Sequence, residues 1–123
     1  MKKITLLLFL FLGLSSFAQE NGVFVVSEGD KKITVVLDTK LPYLELNKPT
    51  LLKTYFENID IKNSSSIARG LRKKEQCGDN CAAWELIIDE KGVVDGYFKI
   101  TFYYELSGDR ENKKMYVSIP VKD

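Results

Sequence analysis

The sequence predicts an α+β fold, an antiparallel sheet of about five strands with one or two helices on a face, with a β-sandwich as the alternative. Three patterns support this prediction. Two regions, one near each end of the chain, alternate apolar and polar side chains with the period of a strand, and a stretch between them repeats apolar residues at helical spacing. With 123 residues, the chain can form one hydrophobic core but not two.

The beginning of the chain has the features of a bacterial export signal. It combines a positive start, an apolar run over residues 4–14 and small residues at positions −3 and −1 of a cut before Gln19. The apolar run falls short of the about 20 residues that a membrane-spanning helix needs. We therefore expect residues 1–18 to be cleaved, residues 19–123 to form a single domain, and the mature protein to be periplasmic or extracellular without a transmembrane segment.

The composition argues against several classes of function. Without Lys2 and Lys3, 16 basic residues face 17 acidic ones, and a net charge of −1 gives no general attraction for nucleic acid or acidic membranes. The chain also has no histidine, the commonest general base and a common metal ligand. We therefore expect no enzyme activity, no cofactor, no metal and no nucleic-acid partner.

Residues 22–38 predict a β-hairpin. Gly29 and Asp30 are turn-forming residues, and a two-residue turn there fixes the strand register. Apolar residues on both faces indicate that this hairpin is central in a sheet or covered on both sides. The register places three pairs opposite each other: Glu28 with Lys31, Val26 with Ile33, and Phe24 with Val35.

Residues 49–59 predict one amphipathic helix of about ten residues, because Pro49 suits a first helical turn. Residues 60–82 allow either a second short helix capped by residues 64–66 or a long loop, and long loops in compact domains are often functional. The apolar positions that recur at helical spacing are Leu51, Leu52, Tyr55, Phe56 and Ile59.

Two alternating stretches, residues 97–106 and 113–121, predict a second hairpin. The register that pairs Tyr103 with Tyr116 also aligns apolar, hydroxyl and opposite-charge pairs, each of which stabilises a sheet by about 0.2–1 kcal/mol. A slip by one residue would set apolar side chains against polar ones along the whole ladder. In this register Leu106 faces Lys113, and Phe102 faces Val117.

The preceding residues extend this hairpin into a three-stranded meander over residues 83–121. A loop at residues 90–92, with Gly92 at positive φ, places Trp84 opposite Phe98. The meander therefore predicts Trp84 in the hydrophobic core.

Both cysteines lie in the short stretch CGDNC, at Cys77 and Cys81. An exported protein meets an oxidising compartment, and the three turn-forming residues between the cysteines allow a disulfide clip worth about 2 kcal/mol. A thiol-redox site is less favoured because thioredoxin-type sites use a two-residue spacer. A metal site would need two carboxylates, such as Asp79 and Asp89, to complete the ligands.

The outer face of the predicted C-terminal sheet is the first candidate binding surface. Tyr97, Tyr103 and Tyr116 lie on it with polar companions such as Lys99. Exposed tyrosines bury a large area at low entropic cost, which suits an interface. The alternative is that a helix covers this face or that the tyrosines only stabilise the sheet.

The stretch RGLRKK is the second candidate surface. It is suited to a phosphate, an acidic glycan or an acidic protein surface. The alternative is a solvated face whose charge is balanced by Glu75 and Asp79. Its four cations are Arg69, Arg72, Lys73 and Lys74.

These patterns favour a small exported, non-catalytic module that binds a protein or an envelope component. Within this class, a clipped basic loop is suited to an inhibitor of a hydrolase or toxin, and a structural subunit of an envelope assembly is a further alternative. The competing class is a small thiol-redox or metal-dependent protein that uses Cys77 and Cys81, or an enzyme that uses the carboxylates of Glu85 and Asp89.

Overall fold

The computed structural model describes residues 18–19, 22–104 and 113–122. The predicted export signal lies outside these residues except for Ala18. The described residues contain no α-helix and eleven strands: β1 (Ala18–Gln19), β2 (Val23–Glu28), β3 (Lys31–Leu37), β4 (Leu44–Glu45), β5 (Thr50–Glu57), β6 (Ser65–Ile67), β7 (Leu71–Gly78), β8 (Cys81–Leu86), β9 (Val93–Val94), β10 (Tyr97–Tyr104) and β11 (Lys113–Lys122).

The strands form two sheets. One has six strands in the order β1-β2-β3-β5-β8-β7, and the other has five, in the order β4-β11-β10-β6 with β9 also pairing with β10. All pairs are antiparallel except β4 with β11. The expected α+β fold with helices on a face is therefore wrong, and the β-sandwich alternative fits.

The residues expected to form a helix form strand β5 instead. Along Thr50–Glu57 buried and exposed side chains alternate, with Leu52 at 2% exposure and its neighbour Leu51 at 48%. Adjacent apolar residues at 51–52 and 55–56 fit both a helical and a strand period, so the apolar pattern alone does not distinguish a helix from a strand. β5 pairs with β3 on one side and with β8 on the other, which satisfies its backbone along both edges.

The N-terminal hairpin is confirmed in its predicted register. Glu28 pairs with Lys31, and the turn between them places Gly29 at a φ of 63°. The hairpin is interior to the six-stranded sheet, with β1 on one side and β5 on the other. Its apolar residues on both faces agree with that position.

The C-terminal hairpin also forms, but its predicted register is wrong by two residues. Tyr104 pairs with Lys113 and Phe102 with Met115. Because the shift is even, each side chain keeps its face, and the apolar–polar alternation is satisfied equally well by both registers. The predicted pairing partner Leu106 lies outside the described residues.

The predicted meander is wrong because β8 belongs to the other sheet. Trp84 pairs with Leu52 of β5 and Lys73 of β7, whereas Phe98 lies between Val93 of β9 and Ile119 of β11. β9 and β10 are joined by the Asp95–Gly96 turn, in which both residues have positive φ, at 53° and 83°. A 3₁₀ turn at Glu90–Gly92 precedes β9 on the path from one sheet to the other.

The hydrophobic core lies between the sheets. The rings of Phe56 and Phe102, one from each sheet, meet edge to face with centroids 6.1 Å apart. Tyr104 is 1% exposed, and its hydroxyl donates a 2.7 Å hydrogen bond to Glu28 Oε1 on the opposite sheet. Among the described residues, no helix has the length and apolar character needed to cross a membrane.

The strand assignment of β5 predicts different costs for two neighbouring substitutions. Leu52→Ala should destabilise the protein by about 2–5 kcal/mol, because it leaves a cavity in the core. Leu51→Ala should cost less than about 0.5 kcal/mol, since Leu51 is half exposed. Urea denaturation followed by circular dichroism measures both. Similar costs for the two variants would contradict the alternation.

Candidate functional site

The hairpin of β7 and β8 carries the disulfide. Cys77 and Cys81 are bonded, with Cα atoms 5.0 Å apart, which confirms the predicted clip. The backbone N–H of Phe56 donates to the carbonyl of Asn80 at 2.9 Å, so the hairpin tip is also tied to β5. Neither cysteine is a free thiol.

Strand β7 forms the outer edge of the six-stranded sheet. Every residue from 72 to 80 is exposed, although β7 is hydrogen-bonded to β8 along its length. The register shifts twice, between Lys73 and Glu75 and between Gln76 and Gly78. Such bulges twist an edge strand and discourage pairing with other chains. We refer to residues 71–86 as the clipped hairpin.

The four cations of RGLRKK lie in different environments, and all but Arg69 lie on a strand. Arg69 lies in the corner between β6 and β7, and its Nε is 3.4 Å from Asp89 Oδ1. Arg72 donates a 2.8 Å hydrogen bond to Glu85 Oε1. Within the described residues, Lys73 and Lys74 form no ion pair.

The ion pair with Arg72 changes the acidity of Glu85. The hydrogen bond from Arg72 holds the pKa of the Glu85 carboxyl below its ordinary value; partial desolvation opposes this shift, and the positive charge of Lys74 adds to it. Asp89 pairs with Arg69, and its Oδ1 also accepts a hydrogen bond from the backbone N–H of Lys91 at 3.1 Å. Each of the two carboxylates considered for catalysis thus has an arginine partner.

Tyr97, Tyr103, Tyr116 and Lys99 lie together on the outer face of the five-stranded sheet, and we refer to them as the tyrosine face. Tyr97 is 49% exposed and Tyr116 is 51% exposed, while Tyr103 is half-buried. The predicted direct pair of Tyr103 and Tyr116 is wrong, because Tyr116 lies opposite Thr101. The ammonium of Lys99 lies 4.6 Å from the centre of the Tyr116 ring, in a cation–π contact.

Two exposed apolar residues extend the tyrosine face and were missed by the sequence reasoning. Ile67 lies opposite Thr101 and is 54% exposed, and Val94 lies opposite Tyr97 and is 69% exposed. The Asp95–Gly96 dipeptide was an available signal for the turn that places Val94. No local signal predicts the three-residue strand that carries Ile67.

A cleft of about 630 Å³ connects the two predicted surfaces, with Arg69, Tyr97 and Lys99 in its lining. Gly92 leaves room for the Phe98 ring at this cleft, since a Cβ there would lie 3.2 Å from the ring, which is closer than an ordinary contact. The cleft therefore combines one arginine of the basic stretch with one end of the tyrosine face.

The described residues contain no group of three or more His, Cys, Asp or Glu side chains arranged to hold a metal ion. The chain matches no protein-family model, and neither the curated proteins nor the solved structures give a significant match.

Removing the disulfide should lower stability without changing the fold. Cys77→Ser with Cys81→Ser should reduce the free energy of unfolding by about 2 kcal/mol, the chain-entropy value for so short a loop. Urea denaturation with and without reductant measures this change. Reductant should destabilise the native chain and leave the double variant unaffected. Equal stability of the disulfide-bonded native chain and the double variant would contradict a stabilising clip.

Arg72→Ala should raise the pKa of the Glu85 carboxyl, because the hydrogen bond that lowers it is lost. A depressed folded-state pKa stabilises the protein above the unfolded-state pKa of the carboxyl, and this stabilisation is lost as the pH falls through the folded-state pKa. The destabilisation by Arg72→Ala should therefore be larger at neutral pH than in acid. NMR titration of the Glu85 carboxyl carbon measures the pKa. Arg69→Ala is the matched control. If the Glu85 pKa changes equally in both variants, the hydrogen bond from Arg72 is not the cause of the lowered pKa.

Proposed function

We propose that this chain is an exported, non-catalytic binding protein that inhibits a protein partner, a hydrolase or a toxin. The observation that carries the proposal is the clipped hairpin, in which residues 72–80, on β7 and the turn after it, are all exposed. This segment is held by the ladder to β8, the disulfide and a hydrogen bond from β5. A segment that is rigid before binding loses little conformational entropy when it enters a partner's cleft. The hairpin therefore suits an inhibitor that inserts a preformed segment into the partner and contacts it through exposed side chains.

The hairpin carries as many acidic as basic residues, so a single exposed lysine, and not its net charge, favours an acidic group in the partner's cleft. Lys74 lies at the first bulge, forms no ion pair with the described residues and is exposed. Arg72 is already paired with Glu85 at 2.8 Å. Lys74 is thus available to meet a carboxylate of the partner, and complementary charge of this kind raises association rates and specificity.

A second candidate function is recognition of an envelope component through the tyrosine face. The half-exposed rings of Tyr97 and Tyr116 favour it, because tyrosines bury large areas at low entropic cost. The cleft beside Tyr97 contains both signs of charge: Lys99 and Asp95 line it, and Arg69 there is paired with Asp89. A component that combines polar groups with a ring or another flat apolar face would suit this surface.

Capture and inhibition assays test both functions. The full chain is immobilised to capture a partner from host envelope extract, and the captured partner is assayed for hydrolase or toxin activity with increasing amounts of free protein. Inhibition should saturate at a one-to-one ratio. Lys74→Glu should weaken inhibition at least about tenfold, because charge reversal replaces attraction with repulsion. Lys62→Glu, in the exposed 3₁₀ turn Ile61–Asn63, is the matched control.

A double variant of the tyrosine face shows whether the partner binds the clipped hairpin or the tyrosine face. Tyr97→Ser with Tyr116→Ser should leave inhibition intact if the hairpin is the inserting element. If this pair abolishes binding while Lys74→Glu and the serine variant of the disulfide do not, the tyrosine face is the binding surface and the inhibitor proposal is wrong. A captured partner that retains full activity at saturation would also refute inhibition.

A further inference from the structure

A separate cleft of about 250 Å³ opens between the sheets on the side where edge strands β6 and β7 lie. The six-stranded sheet and the strand β6 of the five-stranded sheet both contribute to its walls. Its volume is below the roughly 300–1,000 Å³ of sites for drug-sized ligands, so it suits a small molecule. The lining residues are Phe56, Ile61, Ser64, Ser65, Ser66, Lys73, Ala82 and Trp84.

Lys73 places a positive charge at this cleft. It pairs in register with Trp84, which in turn pairs with Leu52, a core residue at 2% exposure, so Lys73 lies on the core-facing side of the edge strand. It forms no ion pair with any described residue. An inward charge on an edge strand also discourages strand pairing between chains, and the oligomeric state separates this role from ligand binding.

Trp84 forms a fixed apolar wall of the same cleft. Its indole N–H donates a 3.0 Å hydrogen bond to Thr54 Oγ1, which is buried at 1% exposure. The indole is therefore oriented before any ligand binds, and its polar group is already satisfied. Phe56 and Ala82 continue the apolar wall.

Serine hydroxyls line the opposite wall. Ser66 pairs with the fully buried Phe102, so its side chain lies on the core-facing side of β6. Ser64 Oγ donates a 2.8 Å hydrogen bond to the carbonyl of Ile61, which fixes the approach to β6. The cleft thus combines one cation, hydroxyl groups and an apolar wall within a small volume.

We propose that this cleft binds a small organic carboxylate with an apolar or aromatic body. The carboxylate pairs with the Lys73 ammonium and accepts a hydrogen bond from Ser66, and the apolar body packs on Trp84 and Phe56. Charge complementarity selects an anion, and the aromatic wall selects a ligand more apolar than inorganic phosphate or sulfate. This binding site is independent of the inhibitor function proposed for the clipped hairpin.

The fluorescence of Trp84 reports on this cleft directly, since the chain contains one tryptophan. Phenylacetate, titrated into the full chain, should change the emission saturably, and phenylacetamide, its neutral counterpart, should bind at least about tenfold more weakly because it lacks the charge. Lys73→Met should bind phenylacetate more weakly by about the same factor, and Lys73→Arg should bind it like the native chain. Lys62→Met is the matched control and should bind like the native chain.

Native mass spectrometry of Lys73→Met and of the native chain separates the alternatives. A variant with the native oligomeric state and weakened phenylacetate binding supports the site. If Lys73→Met self-associates, Ser66→Val is the second test, because it keeps Lys73 and narrows the cleft. Ser66→Val should weaken phenylacetate binding, and unchanged binding overturns the proposal. It is equally overturned by the absence of a saturable response in the native chain, or by equal affinity for phenylacetate and phenylacetamide.

Discussion

Strand β5 is the element on which the rest of the structure depends. It pairs with β3 of the N-terminal hairpin on one edge and with β8 of the clipped hairpin on the other, and so makes one sheet from two hairpins. Its alternate residues also organise the interior: Phe56 meets the opposite sheet, and Thr54 orients Trp84. The backbone of Phe56 ties down the tip of the clipped hairpin. Both the clipped hairpin and the cleft beside Trp84 are therefore held in place by contacts with β5.

The features that were predicted from the sequence are those determined by local chemistry. The Gly29–Asp30 turn sets the register of the first hairpin, and the short spacing of Cys77 and Cys81 in a turn-forming stretch gives the disulfide. The two faces of β10 and β11 were also predicted, because apolar alternation assigns faces. Alternation has a period of two and therefore cannot distinguish registers that differ by two, which is the error made for Tyr103 and Tyr116.

The features that were not predicted depend on contacts between distant segments. No feature of the β8 sequence indicates that this strand pairs with β5 and β7 and not with β10. The chain turns from β6 into β7 at Gly70, where φ is 85° and a Cβ would collide with the carbonyl oxygen of Ile87. That corner places Arg69 beside Tyr97 and leaves the cleft between β6 and β7. Both clefts lie where the chain passes from β6 in one sheet to β7 in the other, and the sequence pattern of either strand alone does not predict a cleft.

The pleat of β7 explains why a run of like charges in the sequence is not one patch in the molecule. Successive side chains on a strand lie on opposite faces, so Arg72 reaches Glu85 on the outer face while Lys73 lies with Trp84 on the inner one. The bulge then removes Lys74 from the alternation. Because Arg72 is paired with Glu85, the inhibitor proposal rests on Lys74 at the bulge, and the proposed carboxylate site rests on Lys73 beside Trp84.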